Sequence, residues 1–134
     1  MTNEERTKIY NSGDYRSLTD KQRRIFRDVV ADLDRRQMLQ LTDVSVIASY
    51  ARSVILARLA SKELEQRGLV LEEEDRYHGK RLKENPAYSV YNRAQSAIAQ
   101  TAVLLGLTPT GRKRLKSEEV PPKSASEQWD EQND

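Results

Sequence analysis

The sequence has no cysteine, a single histidine (His78), and a single tryptophan (Trp129) among 134 residues. Without cysteine there are no disulfides, zinc ribbons, iron–sulfur clusters or thiol nucleophiles, which fits a reducing compartment. One histidine excludes a multi-histidine metal site. The five glycines are isolated from one another, so neither a phosphate-binding P-loop nor a dinucleotide G-x-G-x-x-G pattern exists. No uninterrupted apolar run approaches the roughly 20 residues that span a bilayer. The start, Met1-Thr2-Asn3-Glu4-Glu5-Arg6, lacks the basic-then-apolar layout of a signal peptide, so a cytosolic product is expected. The chain is 33% charged, 37% hydrophobic and 6% aromatic, with a mean hydropathy of −0.83. Length and polarity predict one domain with a small core rather than a large enzyme.

Chemistry-bearing groups are sparse. His78, beside Arg76 and Tyr77, has no nucleophile set near it by the sequence and reads as a surface residue in a charged segment. The run Glu72-Glu73-Glu74-Asp75 lacks the alternating ligands and central glycine of a calcium loop and reads as a solvated charge run. With no catalytic constellation, the reading is a non-enzyme that needs no cofactor and no metal.

What is present is helical periodicity. Residues 1–17 form a polar arm with weak helix potential, a turn at Asn11-Ser12-Gly13-Asp14, and Ile9, Tyr10 and Tyr15 available to dock on a core. Thr19 and Gln22 make a T-x-x-Q capping box, with Asp20 at the positive end of the helix dipole. Ile25, Phe26, Val29, Val30 and Leu33 follow at spacings of three and four, giving a first amphipathic helix. Thr42 or Asp43 is placed to cap a second helix from Val44 to Gln66, stopped by Gly68. That helix is apolar on two sides, with Ile47, Tyr50, Ala51, Val54 and Leu64 on one, and Val44, Ala48, Ile55 and Leu59 on another. It therefore needs two partners. Either it is the central helix of a small bundle, or a neighbouring subunit covers the second side. Leu69-Val70-Leu71 is too short for a helix and suits an extended segment, and the charged stretch after it is either a linker or a hairpin. Asn85 caps, and Pro86 opens, an alanine-rich third helix whose stripe is Ala87, Tyr91, Ala94, Ile98, Ala102 and Leu105. Thr108-Pro109 starts a short fourth helix. Residues 117–134, with Pro121-Pro122 and no periodicity, are expected to be disordered by composition.

Charge divides the same way. Residues 1–116 carry 22 basic and 15 acidic side chains, a net +7, and residues 117–134 carry one and six, a net −5. The overall +2 is thus the sum of a basic body and an acidic tail. Two basic groups are candidates for phosphate. On the first helix these are Lys21, Arg24 and Arg27, although Asp20–Arg24 and Arg24–Asp28 have the spacing of a solvated ion-pair face. On the fourth, Arg112, Lys113, Arg114 and Lys116 have no acid nearer than Glu118; they serve either a phosphate or the helix dipole. Trp129, a large aromatic in an acidic setting, has the look of a docking peptide and is the candidate partner-binding residue.

Three features together resemble the small subunit of tailed-phage terminase. They are Leu18-Thr19 opening an amphipathic helix, Asn85-Pro86 opening an alanine-rich helix, and Leu105-Gly106-Leu107-Thr108-Pro109-Thr110-Gly111-Arg112-Lys113-Arg114-Leu115, which is similar to the family's L-G-L-T-P-x-x-R-x-R-L ending. Tyr50-Ala51 and Gly68 also sit where the family pattern has them, and the resemblance runs from about Leu18 to Lys116. It implies an all-α fold, three main helices plus a short C-terminal helix, assembling into a homo-oligomeric ring. It implies a non-enzymatic subunit that binds double-stranded viral DNA and recruits or regulates the large terminase subunit, the packaging ATPase and nuclease, in the host bacterial cytoplasm and away from membranes. Carried over by position, Arg112 and Arg114 match the motif's arginines and Asn85-Pro86 its helix start. Many small terminases carry a separate N-terminal helix-turn-helix. Residues 1–17 are too short to supply one, so the expected division is an arm at 1–17, a DNA-recognition and oligomerisation domain at 18–116, and an acidic tail at 117–134. The alternative readings are a helical DNA-binding transcription regulator and a protein-only adaptor.

Overall fold

The computed structural model describes residues 1–77 and 79–119, with side chains described through residue 116. In chain order the elements are α1 (Asn3–Asn11), α2 (Gly13–Arg16), α3 (Asp20–Arg35), a 3-10 turn at Leu41–Asp43, α4 (Val44–Arg67), β1 (Val70–Asp75), β2 (Gly79–Glu84), α5 (Pro86–Leu104) and α6 (Pro109–Glu119). The expectation of an all-α chain is therefore corrected. The fold is mostly helical, but a two-stranded antiparallel hairpin links α4 to α5. Its register sets Glu73 against Arg81 and Glu74 against Lys80. The acidic run thus meets basic partners across the ladder, and such opposite-charge pairs stabilise a hairpin that has no core beneath it.

The arm is more ordered than its composition suggests. Thr2 and Glu5 form a capping box on α1, and Ser12 accepts from the Tyr15 N–H to start α2. Both pieces fold onto α3. Ile9 is 1% exposed and Phe26 fully buried; Tyr10, Tyr15 and Phe26 meet edge to face or tilted, with Tyr15 centred 5.0 Å from each of the others. Arg6 donates to Asp34 at 2.6 Å, tying α1 to the far end of α3. The Thr19–Gln22 capping box forms as the spacing predicts, and Phe26, Val29, Val30 and Leu33 are the buried stripe.

One core holds Ile9, Leu18, the α3 stripe, Val44, Ile47, Ala48 and Ala51 of α4, and Leu105. The two apolar sides of α4 are both used within the chain. Around its N-terminal half one side packs on α3; the other side lies along α5 for most of its length. Small residues make that second contact possible, with Ala57, Ala60 and Ala94 all buried. Packing within the chain thus covers much of both sides, while Leu56 and Leu59 are the large apolar residues of α4 that stay exposed. Leu41–Arg67 is long and apolar enough to cross a bilayer by length and composition alone. An uninterrupted-run criterion misses it because Arg52, Arg58 and Lys62 break the run. Its hydropathy is explained here by the two helices it packs against.

The start of α4 differs from expectation. Asp43 makes no side-chain cap, because the 3-10 turn feeds straight into the helix with Asp43 in a helical backbone conformation (φ −85°, ψ −6°). Burial raises the Asp43 carboxyl above the ordinary range, against a backbone hydrogen bond to Gln40 that lowers it. Gly68 ends α4 as foreseen, with φ +81° and its N–H on the Leu64 carbonyl.

Candidate nucleic-acid interface

Seven cationic side chains stand out in the sequence as phosphate contacts, and the fold does not gather them. Arg27 lies on the α2 side of α3, where it donates to the Tyr15 hydroxyl at 3.4 Å. Beside it, Arg23 stacks 5.2 Å from the Tyr15 ring centre and donates to the Arg16 carbonyl at 2.7 Å. These two arginines hold α2 in place. Lys21 and Arg24 point the other way. Neither Asp20–Arg24 nor Arg24–Asp28 is an ion pair. Among the described residues, the acids of α3 that do pair are Asp32, with Arg35 and Arg36, and Asp34, with Arg6.

Lys21 and Arg24 meet two cations that the sequence did not single out. Ile55, Arg58, Leu59 and Lys62 share one face of α4 at spacings i, i+3, i+4 and i+7. Where α3 and this face diverge, Lys21, Arg24, Arg58 and Lys62 ring a groove of about 330 Å³ whose floor is Ile25, Ile55 and Leu59. All four cations are exposed, and none forms an ion pair with a described residue. Four like charges around one low-polarity groove concentrate a positive field there, a standing attraction for an anion. The signal for Arg58 and Lys62 was present in the spacing. In the sequence that face reads as apolar packing surface through Ile55 and Leu59, whereas in the fold Leu59 is 58% exposed.

The C-terminal motif separates into structural and accessible parts. Gly106 adopts φ +70°, and a side chain there would crowd the Met38 methyl and Leu115. Gly111 lets α6 press on α5, since a Cβ would run into the Val103 carbonyl. Thr108 caps α6 by accepting from the Gly111 N–H at 3.0 Å. Arg112 is half-buried and donates to the Gly106 carbonyl at 3.4 Å, so it also ties the α5–α6 corner. Arg112 and Lys116 line a second cleft with Arg36, Met38 and Leu115. Arg114 lies on a different side, against Gln100 and Val103 of α5, and Lys113 is exposed. The four-cation cluster is therefore divided around the helix axis and set apart from Lys21 and Arg24. His78 and Trp129 lie outside the described residues.

Among the described residues no group of three or more histidines, aspartates or glutamates is placed to hold a metal ion. The acidic run is occupied instead by the hairpin, with Lys80 3.8 Å from Glu72.

Searches of curated proteins and of solved structures return no match. A scan against family models does, over residues 23–121, and the matching model is described as the small subunit of phage terminase. The match spans about three quarters of the sequence and takes in the hairpin, the cleft beside α6, the whole L-G-L-T-P corner and all of the α3–α4 groove except Lys21. On that match the chain belongs to the phage terminase small-subunit family, and its general role is in the packaging of phage DNA.

Proposed function

We propose that this chain is the non-enzymatic DNA-recognition subunit of the packaging machine. It binds double-stranded viral DNA, assembles as a homo-oligomeric ring, and recruits or regulates the large terminase subunit in the host bacterial cytoplasm. The observation that carries the DNA-binding part is the groove between α3 and α4, where Lys21, Arg24, Arg58 and Lys62 stand without a carboxylate partner among the described residues. Cations already neutralised in ion pairs gain little from phosphate. Unpaired ones release condensed counterions from the duplex when they bind. Lys113, Arg114 and Lys116 on α6 are exposed and extend the basic surface; Arg112 contributes mainly by fixing the α5–α6 corner. Ring assembly would repeat each weak patch around the duplex and raise avidity. Exposed Leu56 on α4 supplies apolar surface for such contacts. A transcription regulator of helix-turn-helix type would need a short tight turn between its helices, whereas α4 and α5 are joined by a hairpin.

Fluorescence anisotropy of a labelled duplex, titrated with KCl, tests the site. Replacing Lys21, Arg24, Arg58 and Lys62 by Gln should lower the slope of log affinity against log salt by roughly 0.9 per lost phosphate contact, so by about 3 to 4 per bound protomer. An unchanged slope would reject the groove and move the contact to α6. Native mass spectrometry tests the ring; a monomer at micromolar concentration would reject it.

A further inference from the structure

The cationic groove has a feature that phosphate does not explain. Its floor is apolar, formed by Ile25, Ile55 and the largely exposed Leu59. A phosphodiester backbone satisfies the rim and leaves such a floor wet. The ligand that satisfies both is an acidic peptide with one large aromatic side chain, and the chain carries such a segment. Residues 120–134 contain Glu127, Asp130, Glu131 and Asp134 grouped around Trp129, with a single Lys123. Four carboxylates match four cations, and one indole matches a groove of about 330 Å³, which is near the lower limit for a ligand-holding cleft.

We infer that the acidic segment around Trp129 docks in the Lys21–Arg24–Arg58–Lys62 groove of its own chain and competes there with DNA. The last described helix brings the segment within reach. Leu115 and Lys116 of α6 lie beside Arg36 and Met38, at the C-terminal end of α3. The groove is at the opposite end of that helix, about 24 Å away for 16 residues rising 1.5 Å each. Trp129 follows Glu119 by ten residues, which extend to about 33 Å. Occupation by the segment seats the indole on Ile55 and Leu59 and neutralises the rim. DNA then has to displace it, which turns the groove from a constitutive patch into one released when the segment is drawn away. The competition with DNA rests on the function proposed above; the docking itself does not.

Trp129 is the only tryptophan, so its fluorescence in the full-length protein reports docking without DNA. The expected emission is blue-shifted from that of the urea-unfolded chain. It should move to the red, with greater quenching by acrylamide, in an Arg58→Glu/Lys62→Glu variant and on raising salt. Emission equal to that of the unfolded chain, or indifferent to the charge reversal, would overturn the proposal. The two substituted side chains are exposed, and far-UV circular dichroism verifies that the variant is folded. In a second arm, removing residues 120–134 should tighten duplex binding severalfold at low salt, and the charge-reversed variant should show no such gain. If neither form binds duplex, the DNA reading fails while the tryptophan signal still decides the docking.

Discussion

Asn85 concentrates several jobs in one buried amide, which makes its replacement an informative perturbation. The residue is 2% exposed. Its Oδ1 accepts from the Ala87 N–H at 3.0 Å, capping α5, and its Nδ2 donates to the Gly68 carbonyl at 2.9 Å. Its backbone N–H donates to the Leu69 carbonyl at 2.8 Å. The side chain therefore clips the end of α4 to the start of α5 across the base of the hairpin. Asn85→Ala removes a cap, at about 1 kcal/mol, and strands a partly buried carbonyl, at about 1–2 kcal/mol. The expected loss is about 2–3 kcal/mol. Asn85→Ser keeps an acceptor for the cap and loses only the clip, so it should recover about 1 kcal/mol of that. Asn85→Asp keeps the cap oxygen but turns an acceptor towards the Gly68 carbonyl. It should be at least as damaging as Ala at pH 7, and should recover in acid, where the protonated carboxyl regains a donor. Urea unfolding followed by circular dichroism measures all three, at one fixed protein concentration because subunit association contributes to apparent stability. A loss below about 0.5 kcal/mol for Asn85→Ala, or an Asp variant as stable as wild type at neutral pH, would refute the clip.

Gly111→Ala should destabilise by about 1–3 kcal/mol through overpacking against Val103, with amide hydrogen exchange rising first in α6; Gly13→Ala, where nothing lies within 4 Å of a new Cβ, should not. Gln37, the one non-glycine residue with positive φ among those described (φ +58°), should accept Gly with a gain of up to about 1 kcal/mol in thermal or urea unfolding, because a side chain strains that conformation. Burial holds the Asp43 carboxyl above its usual range, so the folded state retains a proton that the unfolded chain releases near pH 3.9. Its favourable contribution is complete below that pH and is lost as pH rises through the folded value. Asp43→Asn should therefore flatten stability against pH across this acid window, and an unchanged profile would reject the buried-carboxyl account.

Local signals were legible wherever a few neighbouring residues decide the outcome. The Thr19–Gln22 box, the Gly68 stop and the Asn85-Pro86 start all depend on backbone groups within one turn. The stripe through Phe26 and Leu33 depends only on helical periodicity. The Thr2–Glu5 box was equally local and was obscured by the polar composition of the arm, which is held by the burial of Ile9 and by Arg6 on Asp34. Asp43 went the other way, because a preceding 3-10 turn removed the extended backbone that a side-chain cap requires.

The candidate site divides along the same line. From the sequence alone follow the helical segments, the basic body with its acidic end, and the resemblance carried by the L-G-L-T-P corner. Those properties are written in composition and in spacings of a few residues. Which cations share a surface depends on how the helices pack. That packing joins Lys21 and Arg24 to Arg58 and Lys62 across two helices, turns Arg27 onto Tyr15, and gives Arg112 to the Gly106 carbonyl. Charge adds up by distance in space, and residues more than thirty positions apart in the chain become neighbours only once α3 and α4 pack.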